Sequence, residues 1–197
     1  MAHEPFIALA YASADGALTV RDVPTHFETS RLILRRAKPD DATSIFQGWA
    51  QDPEVTKYLV WKPHTRVEEA AAHIARSNAA WEAGAGYMYF LEDRETGVLA
   101  GSIVARPGEH GVNLGYLLAR PFWGRGFMRE AVDVIAAWWL AQPDVCRVWA
   151  TCDTENLRSA RVLENAGFQF EGTLRRWDHH PNVSQEPRDA LCYSRTR

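Results

Sequence analysis

Strand-like and helix-like segments alternate along most of the chain, and this alternation restricts the fold more than any other feature. Residues 31–35 and 145–151 are short, apolar and rich in branched side chains, as strands are. Residues 126–140 instead have apolar side chains every three or four positions, which indicates a helix. The predicted order, β α α β β β α β α β β, favours a layered α/β (α+β) sheet over a barrel or a bundle.

Capping and turn residues predict where the remaining elements begin and end. Thr65 and Glu68 match a capping box, which predicts a helix start, and Gly167 is a typical residue just after a helix. Thr96 and Gly97 predict the turn of a hairpin. The predicted helices are 39–50, 65–82, 126–140 and 156–166, and the predicted strands are 31–35, 87–90, 98–105, 112–119, 145–151, 168–174 and 190–194.

The composition describes an ordinary globular chain. Its 197 residues are 46% apolar, 24% charged and 11% aromatic, which excludes disordered, collagenous and coiled-coil classes and indicates one domain. With 22 Lys and Arg against 25 Asp and Glu, the net charge of −3 argues against nucleic-acid binding. Residues 1–27 are read as an N-terminal extension, either disordered or with a short strand over Leu18, Val20 and Val23, ahead of a domain over 28–197.

The cysteines and the N-terminus predict a soluble, cytoplasmic protein. Cys146, Cys152 and Cys192 are odd in number and form no CxxC pair, which suggests a reducing compartment. All three fall on predicted strands, so we expect them to be buried and inert. The first residues lack the basic segment of a signal peptide, and the longest apolar run, 135–141, is too short to span a membrane.

Two glycines between a predicted strand and the longest helix form the first candidate site. In the segment WGRGFM at 123–128, Gly124 and Gly126 allow a sharp turn whose N–H groups converge at the positive end of a helix. Such a turn suits a pyrophosphate, and Arg125 adds a positive charge. An ordinary strand-to-helix turn is the alternative. The segment lacks the third glycine of a dinucleotide fingerprint and the Gly-Lys-Ser/Thr of a P-loop.

A second candidate site follows about thirty residues later. Asn156 and Ser159 are three positions apart, so they share a face of the first turn of a predicted helix. Helix capping explains Asn156 by itself. It does not require Ser159 or the ending ENAGF at 164–168.

In this order and spacing, the two sites resemble the acyl-CoA loop and the following motif of the GNAT N-acetyltransferases. The similarity is greatest to the branch of ribosomal-protein N-terminal alanine and serine acetyltransferases and their relatives. It extends over residues 28 to about 195. The other matching segments are ETSRLILR at 28–35, DPEV at 52–55, LGY at 114–116, EGTLR at 171–175, and RD at 188–189 ahead of Tyr193.

The resemblance implies a single domain with a mixed sheet of about seven strands and helices on both faces. The sheet would be splayed between 112–119 and 145–151, with acetyl-CoA in the splay. Backbone groups of Leu117 and Leu118 would contact the pantetheine arm, and Ser159 would lie near the thioester sulfur. The implied acetyl-CoA-binding residues are Leu117, Leu118, Trp123, Gly124, Arg125, Gly126, Phe127, Met128, Asn156 and Ser159.

Departures from the family pattern direct attention to the general base. Asn113 stands where the family often has a carboxylate, and Met128 stands where it has Gly or Ala. Asp178 lies at an offset where this branch can have a glutamate base, so Asp178 is the candidate base and Ser159 the candidate acid. A solvated loop aspartate is the alternative interpretation of Asp178. His179 and His180 are rival proton acceptors. They lack the spacing of a zinc motif, so no metal is expected.

The expected activity is transfer of an acetyl group from acetyl-CoA to a primary amine, by direct attack in a ternary complex. The acceptor would be a protein N-terminus or a small amine, in a cleft beside Tyr58 and Trp61. A non-catalytic acyl-CoA-binding module and a Trp-rich carbohydrate-binding domain are the alternatives. Exposed strand edges make a homodimer reasonable, and no membrane or nucleic-acid partner is expected.

Overall fold

A mixed sheet of eight strands forms the centre of the molecule. The computed structural model describes residues 23–197. The strands are β1 (His26–Glu28), β2 (Leu32–Arg35), β3 (Tyr87–Asp93), β4 (Leu99–Gly108), β5 (Gly111–Leu118), β6 (Arg147–Asp153), β7 (Gln169–Asp178) and β8 (Arg188–Thr196). Their order in the sheet is β1-β2-β3-β4-β5-β6-β8-β7, and only the β5–β6 pair is parallel.

Five helices connect and cover these strands. They are α1 (Asp41–Ile45), α2 (Pro53–Thr56), α3 (Val67–Glu82), α4 (Phe127–Leu140) and α5 (Leu157–Asn165). A wide π-helical turn, Phe46–Ala50, follows α1, and a 3₁₀ turn, Arg120–Phe122, precedes the two-glycine segment. Between residues 23 and 197, no helix has the length and apolar character needed to cross a membrane.

The eighth strand, β1, is the main difference from the expected sheet of about seven strands. It has three residues and pairs antiparallel with β2, with Phe27 opposite Leu34. So short a segment has no detectable periodicity of its own, and its pairing with β2 is what makes it a strand. Of the strand suggested over Leu18, Val20 and Val23, the first two residues lie outside the described residues, and Val23 is not in a strand.

Two helix starts also differ in detail from the sequence prediction. The helix expected over 39–50 is divided into α1 and the π-helical turn, and Asp52 then caps the separate helix α2 by accepting from the N–H of Glu54 at 2.9 Å. The expected capping box does not form. Arg66 occupies the cap position, and the Thr65 hydroxyl donates instead to the Glu69 carboxylate at 2.9 Å.

Helices cover both faces of the sheet, as expected. Along β3, Phe90 stacks on Trp49 of the π-helical turn, with ring centroids 6.3 Å apart. Tyr87 lies on the opposite face, where its ring packs against Trp139 of α4. Trp49, Trp81 and Trp139 are all buried in the core.

The prediction of three buried cysteines is correct for two of them. Cys152 and Cys192 are buried on β6 and β8, whereas Cys146 is exposed. Cys146 lies one residue before β6 begins, in a segment that the sheet does not cover.

Candidate active site

A cleft opens in the sheet where two neighbouring strands separate. β5 and β6 pair only at Val112 with Val148 and at Asn113 with Trp149. Beyond these pairs the strands diverge, which leaves the backbone of β5 from Leu114 to its end without a neighbour on that side. A cavity of about 1910 Å³ passes through this splay and is lined by residues of β4, β5, β6, α3 and α5. The splay predicted from the resemblance is therefore present.

The two-glycine segment forms one end of this cavity. Gly124 and Gly126 have φ angles of +73° and +77°, in the left-handed region that favours glycine. Gly126 is the cap residue of α4 and makes no side-chain cap, so the first N–H groups of this 14-residue helix are available to an anion. Gly124, Gly126, Phe127 and Met128 all line the cavity, although the side chains of Phe127 and Met128 are buried in the core.

The side chain of Arg125 does not face the cavity. Its guanidinium lies over the Phe127 ring at 4.5 Å from the centroid and comes within 3.9 Å of the Asp93 carboxylate. The expectation that this charge adds to the phosphate site is corrected accordingly. The cations that line the cavity near this end are Arg129, Arg158 and Arg161. Arg158 lies over the Trp123 ring at 4.4 Å, which places both residues at the cavity wall.

A network from the chain preceding β2 anchors the start of α4. The Glu130 carboxylate accepts from the Thr29 hydroxyl, from the Ser30 hydroxyl at 3.2 Å and from the backbone N–H of Arg31 at 3.0 Å. Arg31 also donates from Nε to Glu130 at 2.8 Å and from Nη1 to the carbonyl oxygen of Arg125 at 2.7 Å. We name Thr29, Ser30, Arg31 and Glu130 the loop anchor, because they tie the two-glycine segment to the chain that precedes β2.

The backbone groups of Leu117 and Leu118 point in different directions, so they are not equally available to a ligand. A Cβ placed on Gly101 of β4 would lie 2.3 Å from the carbonyl oxygen of Leu117, so this carbonyl points at β4 and away from the splay. The carbonyl of Leu118 accepts from the indole N–H of Trp123 at 2.6 Å. Because backbone groups alternate in direction along an antiparallel strand, Tyr116 and Leu118 face the splay and Leu117 faces β4.

Asn156 and Ser159 lie together at the start of α5. The side-chain oxygen of Asn156 accepts from the backbone N–H of Ser159 at 3.2 Å, so Asn156 caps the helix. The hydroxyl of Ser159 lies 2.8 Å from the hydroxyl of Tyr116, which is also 3.2 Å from the carbonyl oxygen of Ser159. Burial raises the pKa of Tyr116 well above its usual value, so this phenol keeps its proton.

Tyr116 is a functional candidate that sequence reasoning quoted only as part of a motif. Its position on β5 indicates that it points to the face opposite Asn113 and Gly115, toward α5. Cys152 lies close to the same pair of hydroxyls. Burial raises the pKa of Cys152 to about 11, so it stays a thiol near neutral pH and an acyl-cysteine route is disfavoured.

Asp178 and His180 both reach the cavity from the far side of the splay. Asp178 ends strand β7, where it is half-buried and accepts from the Thr151 hydroxyl of β6 at 3.0 Å. It is not part of a solvated loop. His180 is buried, and neither of its ring nitrogens has a hydrogen-bond partner among the described residues. His179, by contrast, is exposed, and its ring lies 3.0 Å from the carbonyl oxygen of Gln185, outside the cavity.

Burial outweighs the neighbouring carboxylates in setting the pKa of His180. Burial lowers its pKa below the usual 6.5, although the carboxylates of Asp178 and Asp153 act in the opposite direction. The Asp153 oxygen lies 3.8 Å from His180 Nε2 but is committed to Arg188, which donates to it from Nε at 2.5 Å. Burial alone would raise the pKa of Asp153, yet these hydrogen bonds outweigh it and keep the pKa below its usual value.

The loop after β7 holds the chain around α2 in place, and residues of both segments line the cavity. The side-chain amide of Asn182 donates to the carbonyl oxygens of Thr56 and Trp61 at 2.7 and 2.8 Å. Tyr58 packs edge-on against His180, with ring centroids 6.3 Å apart. Tyr58 and Trp61 both line the cavity, as predicted for the acceptor cleft.

Comparison with known proteins identifies the family. Residues 31–169 match the family model described as the acetyltransferase (GNAT) domain, which is more than half of the chain. The chain belongs to the GNAT acetyltransferase family. It is therefore an N-acetyltransferase with acetyl-CoA as the acyl donor.

Relatives of this GNAT chain match most of its length. It is 33% identical over 153 residues to the uncharacterized N-acetyltransferase p20 of Bacillus licheniformis, which covers 76% of this chain and 85% of p20. It is 26% identical to the [ribosomal protein uS5]-alanine N-acetyltransferase of Escherichia coli, which covers 73% and 78% of the two chains. The solved structure of the microcin C7 self-immunity acetyltransferase MccE, in complex with acetyl-CoA and AMP, superposes with a TM-score of 0.79 at 18% identity and covers 89% and 98%.

Proposed function

We propose that this GNAT enzyme transfers the acetyl group to the α-amine of a protein or to a small primary amine, by direct attack in a ternary complex. The observation that carries the proposal is the continuity of one cavity. It extends from the N–H groups at Gly124 and Gly126, through the splay, to the aromatic wall at Tyr58 and Trp61. Donor and acceptor can therefore meet at the edge of β5 without a covalent enzyme intermediate.

The proposed chemistry requires two proton transfers and one new bond. Asp178 accepts a proton from the ammonium form of the acceptor, directly or through water, and the free amine attacks the thioester carbonyl. Backbone N–H groups of β5 that face the splay stabilise the oxyanion of the tetrahedral intermediate. When the C–S bond breaks, the Ser159 hydroxyl gives its proton to the departing thiolate, and the second proton of the acceptor nitrogen passes through the Tyr116 hydroxyl, 2.8 Å away, to restore it.

The similarity to the [ribosomal protein uS5]-alanine N-acetyltransferase supports an α-amine as the acceptor of this enzyme. An α-amine has a pKa of about 8, so a single carboxylate or a water molecule suffices to deprotonate it, whereas a lysine amine near 10.4 needs more help. A ribosomal protein as acceptor also favours a cytoplasmic location.

A non-catalytic acyl-CoA-binding module is the second candidate, and one observation supports it. Asn113 lies on β5 opposite Arg106 and has no ionisable group, so the position where the family often has its base is chemically inert. The two candidate functions predict different results when acetyl-CoA is mixed with an acceptor amine. An acetyltransferase releases the free thiol of CoA, and a binding module does not.

The proposal is tested by adding acetyl-CoA with a panel of amines and peptides, and by measuring melting temperature and released thiol. Acetyl-CoA should raise the melting temperature, because a ligand that binds only the native state stabilises it. Gly126→Asp should abolish the shift by placing a carboxylate at the phosphate end. Gly97→Asp is the matched control, since Gly97 also has a positive φ, with no neighbour within 4 Å, in the β3–β4 turn. An unchanged wild-type melting temperature at millimolar acetyl-CoA would contradict the assignment, and a shift without thiol release would favour the binding module.

A further inference from the structure

Arg106 is a cation that extends to the mouth of the splay and has no partner there. It lies on β4 opposite Asn113, where the last β5–β6 pair is formed. A Cβ placed on Gly115 would lie 3.0 Å from Nη1 of Arg106 and 3.8 Å from Nη2, so the guanidinium crosses β5 at Gly115. Because Gly115 has no side chain, the guanidinium of Arg106 can occupy the space beside it.

No acceptor for this guanidinium is found among residues 23–197. Arg106 donates no hydrogen bond within that part of the chain, and no carboxylate lies within 4.0 Å of it. Neighbouring protein atoms lower the pKa of Arg106, and no acidic neighbour offsets this effect. The side chain is nevertheless exposed where it lines the cavity, so its N–H donors are available to an anion that enters there.

A second arginine, Arg76 of α3, adds positive charge in place of a counter-ion and forms a cationic cluster with Arg106. His64 and His73 line the same part of the cavity. Burial, together with the nearby charges of Arg76, His64 and Arg106, lowers the pKa of His73 to about 4, so these groups are close enough to interact. One ring nitrogen of His64 is also buried without a partner.

This cationic cluster is separate from the site for the phosphates of acetyl-CoA. The phosphate end is formed by Gly124, Gly126 and the start of α4, beyond the end of β5. Arg106 instead crosses β5 at Gly115, three residues before Leu118, which is about 10 Å along the strand. Asp178 lines the same cavity and accepts a hydrogen bond from Thr151 of β6, the strand on the other side of the splay.

We infer that the acceptor is a small primary amine that also carries a carboxylate or phosphate group, with Arg106 binding the anion while the amine faces Asp178. The inference rests on the proposed function and defines its substrate class. Arg106 suits this role because its planar fork of donors matches the oxygens of a carboxylate or a phosphate.

The test compares amines that differ only in the anion. The panel contains L-amino acids, each with its carboxamide, and O-phosphoethanolamine with ethanolamine. Binding to the protein saturated with CoA is measured by calorimetry, and acetyl transfer is measured as kcat/KM with acetyl-CoA. The wild type should bind at least one anionic amine about ten- to hundredfold more tightly than its neutral partner, because a charge-assisted hydrogen bond is lost in the latter.

Variants of Arg106 separate its role from a general effect of charge. Arg106→Gln should reduce the preference for the anionic partner about tenfold or more and leave binding of CoA unchanged, whereas Arg106→Lys should keep part of the preference. Arg36→Gln is the control, because Arg36 pairs with Glu82 away from the cavity. The melting temperature of Arg106→Gln should be close to that of the wild type, since no hydrogen bond or ion pair among residues 23–197 is removed.

The outcomes distinguish failure of the inference from failure of the proposed function. If CoA binds but neutral amines bind as well as their anionic partners throughout the panel, the inference is wrong. The same conclusion follows if Arg106→Gln keeps the full preference. If CoA itself does not bind, the proposed function is wrong, and the inference falls with it.

Discussion

The hydroxyl pair of Ser159 and Tyr116 determines how the leaving thiolate receives its proton. Ser159 lies in the first turn of α5, where the helix dipole stabilises negative charge that develops on sulfur. The Tyr116 hydroxyl is its only side-chain hydrogen-bond partner among the described residues.

Ser159→Ala should lower kcat by about a hundredfold or more with little change in the KM for acetyl-CoA, because it removes a donor that acts on the transition state. Tyr116→Phe should have a smaller effect in the same direction, since water can replace the second hydroxyl. Steady-state kinetics checks both. A near wild-type kcat for Ser159→Ala would reduce this serine to a structural part of α5.

Asp178→Asn should lower kcat/KM by about 10² to 10⁴ if proton transfer limits the rate. The loss should be greatest at low pH and should diminish toward about pH 9, where an α-amine loses its proton unaided. His180→Gln is the companion variant, because His180 is the other proton acceptor in the cavity. A pH profile of Asp178→Asn parallel to that of the wild type, together with a large loss in His180→Gln, would transfer the role of base to His180.

At the scale of elements, the loop anchor determines how the start of α4 is held. Arg31 connects the strand segment before β2 to Glu130 and to the carbonyl of Arg125, about a hundred positions away in the sequence. The segment ETSRLILR, noticed as a family motif, thus has a physical role in positioning the two-glycine turn.

Arg31→Ala should raise the KM for acetyl-CoA about three- to tenfold with a smaller change in kcat, because partly exposed ionic hydrogen bonds contribute modestly. Glu130→Gln should have a similar effect. Arg36→Ala removes an exposed ion pair with Glu82 and is the matched control. Equal KM values for Arg31→Ala and Arg36→Ala would show that the anchor does not position the loop.

At the scale of the whole molecule, three buried or half-buried histidines predict sensitivity to acid. The pKa of His73 is lowered to about 4 in the folded chain, and burial also lowers the pKa of His64 and of His180. Below the unfolded value of about 6.5, the unfolded chain therefore binds more protons than the folded one. The free energy of unfolding must fall as the pH falls through this range.

His73→Gln should reduce this loss of stability by at most about 2 kcal/mol near pH 5, relative to the wild type at the same pH. Denaturant unfolding between pH 7.5 and about pH 5 measures the effect. His26→Gln is the control, because His26 is exposed on β1 outside the cluster. If the two variants have the same pH dependence, His73 does not account for the acid sensitivity.

The homodimer expected from exposed strand edges stays a prediction, and light scattering would test it.

The sequence by itself determined most of the elements and the ends of the cavity. The left-handed glycines at 124 and 126, the cap at Asn156 and the helical repeat of α4 depend on neighbours within a few positions, so their patterns are visible in the chain. The splay and the candidate base Asp178 came from the family resemblance.

Only the tertiary structure decided where side chains point and which charges are paired. Arg125 turns to Phe127 and Asp93, the carbonyl of Leu117 points at β4, and Arg106 reaches the splay without a counter-ion. Direction along a strand depends on pairing register, and desolvation depends on atoms contributed by distant segments. Neither quantity is encoded in any local stretch of sequence, which is why the anionic-amine site became visible only once the strands were placed side by side.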